Sequence, residues 1–361
     1  MVVTPKSLNA PPVFPTVNLA ASIEALLAQP GGGFTAGHWS VHGVTLDLHT
    51  DHLYTQTLIS DLLRPFAALA APVRPDVRVV FTCRQTWAVP PQAEMLPPSS
   101  NEVIDVQASY GLTSTLARTG NLNYLELSPL GGAAYDLRNG LALAYLPQPE
   151  AYRPWVITHL FLITLTMELL RGRGLYWLHA AAAADRGRAA LIIGQTGAGK
   201  TTTCLALVAG GFKFLSEDRT FVRVNGDAVE LLAFPKEVAV TGRTLELLPW
   251  LKARLAEPGG SRRKQEIDPA ALFPEALVSE AKPGVILFPR QRPEAPSEAR
   301  PLAGAAALQR ILPNSLLASQ PQVSAQHFDA LARLVAGSRC YELLVNPKVG
   351  ALPGLVRGLL P

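Results

Sequence analysis

The chain has 361 residues, long for one domain and enough for two. Its 48% hydrophobic and 17% charged content exclude a disordered chain, and its three widely spaced cysteines (Cys83, Cys204, Cys340) exclude a disulfide framework or zinc knuckle. Net charge is +4 but uneven: residues 1–150 carry 7 Lys/Arg against 11 Asp/Glu, residues 151–361 carry 25 against 17, and no basic stripe is dense enough for nucleic acid.

Residues 1–18 are Pro-rich and read as an irregular arm without the charged-then-apolar pattern of a signal peptide. Residues 38–48 read as one strand. Leu58–Ala71 reads as a helix interrupted by Pro65, and Val77–Thr82 as a strand. The prolines of 88–101 predict a loop. Residues 103–108, 122–127 and 141–146 read as short strands, with Gly131-Gly132 and Asn139-Gly140 as turns. Residues 1–150 are therefore expected to form a small strand-rich α+β accessory module, and 151–361 a second domain. That domain starts with a helix over 153–171. Its apolar stretch Trp155–Leu170 holds His159 and Glu168 and is too short and polar to span a bilayer. With reduced cysteines, a cytoplasmic location and no membrane partner are expected.

A strand is predicted over Trp177–Ala184, and a buried strand over Ala189–Ile193 that runs into Gly194-Gln195-Thr196-Gly197-Ala198-Gly199-Lys200-Thr201, followed by a helix over Thr201–Ala209 that Gly210-Gly211 ends. GxxxxGK[ST] between a strand and a helix is the phosphate-loop (Walker A) pattern. Glycines let backbone N–H groups surround phosphate oxygens, and the helix N-terminus adds its dipole. Lys200 can reach the β and γ phosphates, and the Thr201 hydroxyl, beside Thr202, can ligate Mg2+. ATP with Mg2+ is the expected ligand pair.

An acid must serve the metal or the nucleophile. The later strand Val285–Phe288 ends in Pro289-Arg290 and offers none. Glu217-Asp218 instead close the strand predicted over Phe212–Leu215, and one crossover helix is expected to lay that strand beside the loop strand. Adjacent strand residues face opposite ways, so one of the two carboxylates should enter the site. Asp218 is the candidate for taking a proton from an attacking hydroxyl or for binding Mg2+.

The run GQTGAGKTTTCLALVAGGFKFLSEDR, with Gly211 and the acidic pair at these spacings and His179 one hairpin upstream, resembles the catalytic domain of HPr kinase/phosphorylase and HPr-kinase-like proteins, and more distantly phosphoenolpyruvate carboxykinase. Glu217 stands where that family has its first Asp, and Ala180 where the bacterial regulators have Gly. The resemblance implies an α/β P-loop domain of HPr kinase/PEP carboxykinase type over 151–361, with Lys200 and Thr201 on ATP-Mg. It also implies Asp218 as base or metal ligand, Glu217 as its partner, and His179 near the phosphates. Relatives often assemble as oligomers, so a homo-oligomer is a possible state.

Transfer also needs cations for the moving phosphoryl group. Arg243, between a strand and a helix, is one candidate, and Arg262-Arg263-Lys264 in a Gly-rich stretch are others. Arg219 can pair with the acids. His38, His42, His49 and His52 are weaker candidates for a metal. The reading is an ATP-dependent kinase moving the γ-phosphoryl group to a hydroxyl on a protein serine, a peptide or a small metabolite. A non-catalytic nucleotide-binding regulator and a simple NTP hydrolase are the alternatives.

Overall fold

The structure is a computed structural model. It describes residues 18–29, 32–70, 74–84, 93–96, 110–234, 236–255, 265–315 and 320–361. The strand expected over 103–108 and the Arg262–Lys264 candidates lie outside these. The chain is mixed α/β with two large sheets and divides into two compact units, Met1–Arg173 with Leu317–Ser324, and Gly174–Leu316 with Ala325–Pro361. The division expected at 150/151 thus differs from the contact-defined one by the helical segment Pro154–Arg171, whose last part, Ile163–Arg171, packs on the first unit's sheet.

The first unit is built on nine strands: β1 Thr35–Val41, β2 Val44–Thr50, β3 Ala67–Ala68, β4 Val77–Thr82, β5 Glu94–Met95, β6 Thr113–Thr119, β7 Leu122–Ser128, β8 Gly131–Asp136 and β9 Leu141–Tyr145. Their order is β3-β1-β2-β4-β9-β8-β7-β6-β5, with β2, β4 and β9 mutually parallel and the rest antiparallel. The single strand expected over 38–48 is a hairpin, because His42 (φ 49°) and Gly43 (φ 89°) turn the chain between β1 and β2. The helix expected over 58–71 spans Leu53–Leu63 and ends before Pro65; it forms the crossover between parallel β2 and β4. Gly131-Gly132, expected as a turn, opens β8; at Gly131 (φ 156°) a Cβ would meet the Tyr145 carbonyl at 2.1 Å, so a glycine is needed for the strands to pair.

The second unit holds β10 Tyr176–Leu178, β11 Ala180–Asp185, β12 Arg188–Ile193, β13 Lys213–Ser216, β14 Thr220–Asn225, β15 Ala228–Ala233, β16 Val238–Val240, β17 Gln265–Ile267, β18 Glu280–Gln291, β19 Glu298–Pro301 and β20 Arg339–Val345. The main path is β10-β14-β15-β18-β12-β11-β13. The sheet branches at β18, which also pairs with β20, and β19 adds to β20. One face (Ala190, Ile192, Val285, Leu287) is covered by the helices Lys200–Ala209 and Leu352–Leu359. The other (Leu191, Ile193, Ile286, Phe288) is covered by Gly304–Ile311 and the later turns of Pro321–Ala336. Burial on both faces is why β12 and the middle of β18 read as unbroken apolar runs.

Two expectations change here. The strand expected over 177–184 is two strands parted at His179, with β10 pairing with β14 and β11 with β12 and β13. The strand after the loop helix does not lie beside the loop strand: β11 sits between β12 and β13. Because β11 is antiparallel to both, β12 and β13 still point the same way, and their carboxyl ends share one edge.

Candidate functional site

The glycine-rich loop leaves the carboxyl end of β12. Gly197 (φ 83°) and Gly199 (φ 100°) are left-handed, a conformation from which successive N–H groups turn into one concavity and which L side chains resist. Gly199 is the N-cap of the helix Lys200–Ala209, so the helix dipole begins where the loop closes. Gly194 is packed closely, since a Cβ there would sit 3.0 Å from that of Ala198. Lys200 is buried, and its ammonium donates to the carbonyls of Gly194 (2.6 Å) and Gln195 (3.4 Å). Gln195 and Thr196 are exposed at the loop's tip. Thr202 turns away from the loop: its hydroxyl is 3.2 Å from that of Thr244, on the helix Gly242–Leu247.

Glu217 and Asp218 occupy the turn between β13 and β14. The turn is pinned by the Ser216 and Thr220 hydroxyls, 2.6 Å apart, while the Thr220 hydroxyl reaches the Ala180 carbonyl at 3.2 Å. Asp218 is left-handed (φ 71°), and this sends the two carboxylates to different partners. Glu217, 8% exposed, accepts a hydrogen bond from the Thr201 hydroxyl. Asp218 meets three cationic or ionisable groups: His179 Nδ1 at 2.9 Å, Arg219 at 2.7 Å and Lys236 Nζ at 3.3 Å. His179 Nδ1 also lies 3.1 Å from the Asp218 carbonyl. Both neighbours of Nδ1 are acceptors, so Nδ1 carries the proton and Nε2 is left as an acceptor in the neutral ring.

The environments push the acids apart. Burial, and then the Asp218 charge, raise the Glu217 carboxyl above its ordinary value against the pull of the Thr201 hydrogen bond. Burial works to raise Asp218 as well, but Arg219, the His179 hydrogen bond and Lys236 outweigh it and hold it well below the usual carboxylate range. Burial lowers the Lys236 ammonium, and Asp218 opposes this.

The residues present fit a nucleoside triphosphate with Mg2+. The left-handed glycines and helix start suit phosphate oxygens, and the Thr201 hydroxyl with the Glu217 carboxylate form an all-oxygen donor pair of the kind Mg2+ takes beside phosphate.

No family model matches the sequence, and no curated protein does. Among solved structures, the chain is similar to that of the HPr(Ser) kinase/phosphatase from Coxiella burnetii at a TM-score of 0.28 and 14% identity, over 51% of this chain and 92% of that one.

Arg243 begins the helix Gly242–Leu247 but is 63% exposed and pairs with Glu246 at 3.0 Å. Lys236, half-buried and 3.3 Å from Asp218, is a cation of the site that sequence reading missed; a lone lysine between Phe234 and β16 carries no motif, and only folding brings it to Asp218. The four histidines do not form one cluster. His38 (3.0 Å) and His49 (2.8 Å) flank the buried Asp47, which Arg78 also holds at 2.6 Å. His52 pairs with Glu150, and His42 packs on Phe66. Among the described residues no group of three or more His, Cys, Asp or Glu is arranged to hold a metal ion. No helix among them is long and apolar enough to cross a membrane.

Proposed function

We propose that this chain is an ATP-dependent phosphotransferase, of the HPr-kinase-like kind, that moves a γ-phosphoryl group to a hydroxyl of a protein, peptide or small metabolite in the cytoplasm. The observation that carries this reading is the split of the acidic pair at the mouth of the glycine-rich loop, with Glu217 on the Thr201 hydroxyl and Asp218 on His179 and Lys236. A loop that only bound nucleotide would need the first contact but not the second.

The loop backbone and Lys200 hold the phosphates, the ammonium exchanging its carbonyl partners for phosphate oxygens. Thr201 and Glu217 hold Mg2+, which when bound neutralises charge on the phosphates. The sequence alone points to Asp218 as proton acceptor. Its cationic partners make it a weak base, and they support giving that role to His179, with Asp218 orienting the ring as the third member of a catalytic triad does. His179 Nε2 takes the acceptor hydroxyl's proton as the new O–P bond forms, and the nucleoside diphosphate leaves with the electrons of the broken P–O bond. Lys236, held 3.3 Å from Asp218, takes the part expected of Arg243 in meeting the moving phosphoryl group.

Incubation with γ-labelled ATP and Mg2+ in a lysate of the source organism should label a discrete acceptor with wild-type protein and fail to do so with Lys200→Ala. Steady phosphate release that no acceptor accelerates would identify a hydrolase, and tight ATP binding without any product a regulator.

A further inference from the structure

β18 continues past its last pairing with β12 (Ile192 with Leu287) and carries Phe288–Gln291 forward beside β20 alone. This overhang runs alongside the glycine-rich loop, and the Gln291 amide approaches the Gly197 carbonyl at 3.5 Å. Gln291 also lines a pocket of about 370 Å³ with Arg290, Arg292 and Arg300. The loop and this pocket are therefore one side chain apart.

The pocket's charge is unusual for a strand end. Three guanidiniums border it, against the carboxylates of Glu294 and Glu342. Glu298 pairs with two of them, Arg292 at 2.5 Å and Arg300 at 3.0 Å. Glu342 is engaged by Arg310 at 3.3 Å, and Arg310 also stacks over Phe288. Arg290 makes no ion pair among the described residues. Three neighbouring guanidiniums, one of them outside any ion pair, suit a planar carboxylate or phosphate oxygens.

We propose that this pocket is the acceptor subsite, and that the acceptor bears a carboxylate or phosphate group besides its reacting hydroxyl. The proposal rests on the phosphotransferase reading and narrows its substrate class. An anion seated on Arg290 and Arg300 is held at the carboxyl edge of β18, next to the loop strand β12. Binding there supplies orientation to a hydroxyl that has little else to distinguish it from water.

The test uses the full chain saturated with Mg2+ and the β,γ-imido analogue of ATP, so that the loop is filled. Calorimetric titrations with D-glycerate, glycerol 3-phosphate and glycerol then compare a carboxylate, a phosphate and no anion on similar hydroxylated frames. We expect one or both anions to bind and glycerol not to. Arg290→Gln and Arg300→Gln should weaken anion binding at least about tenfold while leaving nucleotide affinity within about twofold. Which anion binds identifies the handle. No binding by either anion, or binding that both variants retain, overturns the subsite. Variants that weaken the nucleotide analogue instead would assign the pocket to the nucleotide and also overturn it. If wild-type protein does not bind the analogue at all, the phosphotransferase reading itself fails.

Discussion

Two adjacent carboxylates, Glu217 and Asp218, end up in different surroundings because Asp218 is left-handed and the turn is tied across Ser216 and Thr220. The pair could be read in the sequence; which acid faces Thr201 could not, since strand alternation says only that they diverge. Asp218→Asn and His179→Gln should each lower kcat by roughly 10²–10⁴ with nucleotide affinity nearly unchanged, and the double variant should be little worse than the worse single. Additive losses measured by steady-state kinetics would separate the two residues. Glu217→Gln should instead raise the Mg2+ concentration needed for half-maximal nucleotide binding, read by titration. Far from this site, Asp47 is held below its ordinary value: burial opposes this, but the hydrogen bonds from His49 and Arg78 prevail. A depressed carboxyl contributes stability above its unfolded pKa of about 3.9 and loses it as pH falls through the folded value. Asp47→Asn should therefore cost about 2 kcal/mol at pH 7, and the difference from wild type should shrink below pH 4, as measured by chemical denaturation.

At the scale of elements, what could be read tracked burial. Val77–Thr82 was legible as a strand to its ends, and β12 and the loop helix to within one residue, because unbroken apolar runs and the Gly210-Gly211 stop leave few alternatives. The misreadings share a cause: pairing partners are not local. The all-alanine run of β11 carries no mark that it lies between β12 and β13, and nothing in Leu178-His179-Ala180 marks His179 as the point where the chain passes from one part of the sheet to another. The same passage places the His179 N–H on the Asn314 carbonyl at 2.8 Å and its ring on Asp218. Lys236 was missed for a similar reason. The end of the loop helix supplies a test of packing. A Cβ at Gly210 would meet the Pro353 ring at 2.2 Å, so Gly210→Ala should lift the helix Leu352–Leu359 from its seat and cost about 1–3 kcal/mol in thermal or urea unfolding.

For the whole molecule, the charge is uneven along the chain. Residues 151–361 carry 25 Lys/Arg against 17 Asp/Glu, and this stretch includes the glycine-rich loop, Lys236 and the arginine-lined pocket. A positive field around an anion site speeds encounter and is screened within about 8 Å at physiological salt. The association rate of Mg-ATP should accordingly fall several-fold as salt rises, with a smaller change in dissociation rate. A division at 150/151 is what the sequence suggests, whereas the contact-defined division falls after Arg173, because the helix Ile163–Arg171 packs on the sheet that precedes it. The central claim, that the glycine-rich loop holds a nucleoside triphosphate through Lys200, is tested most directly by equilibrium titration of a fluorescent Mg-ATP analogue into wild-type protein and Lys200→Ala. Saturable binding to wild type that weakens at least about a hundredfold in the variant is the predicted result; equal binding by both, or none by wild type, would contradict it.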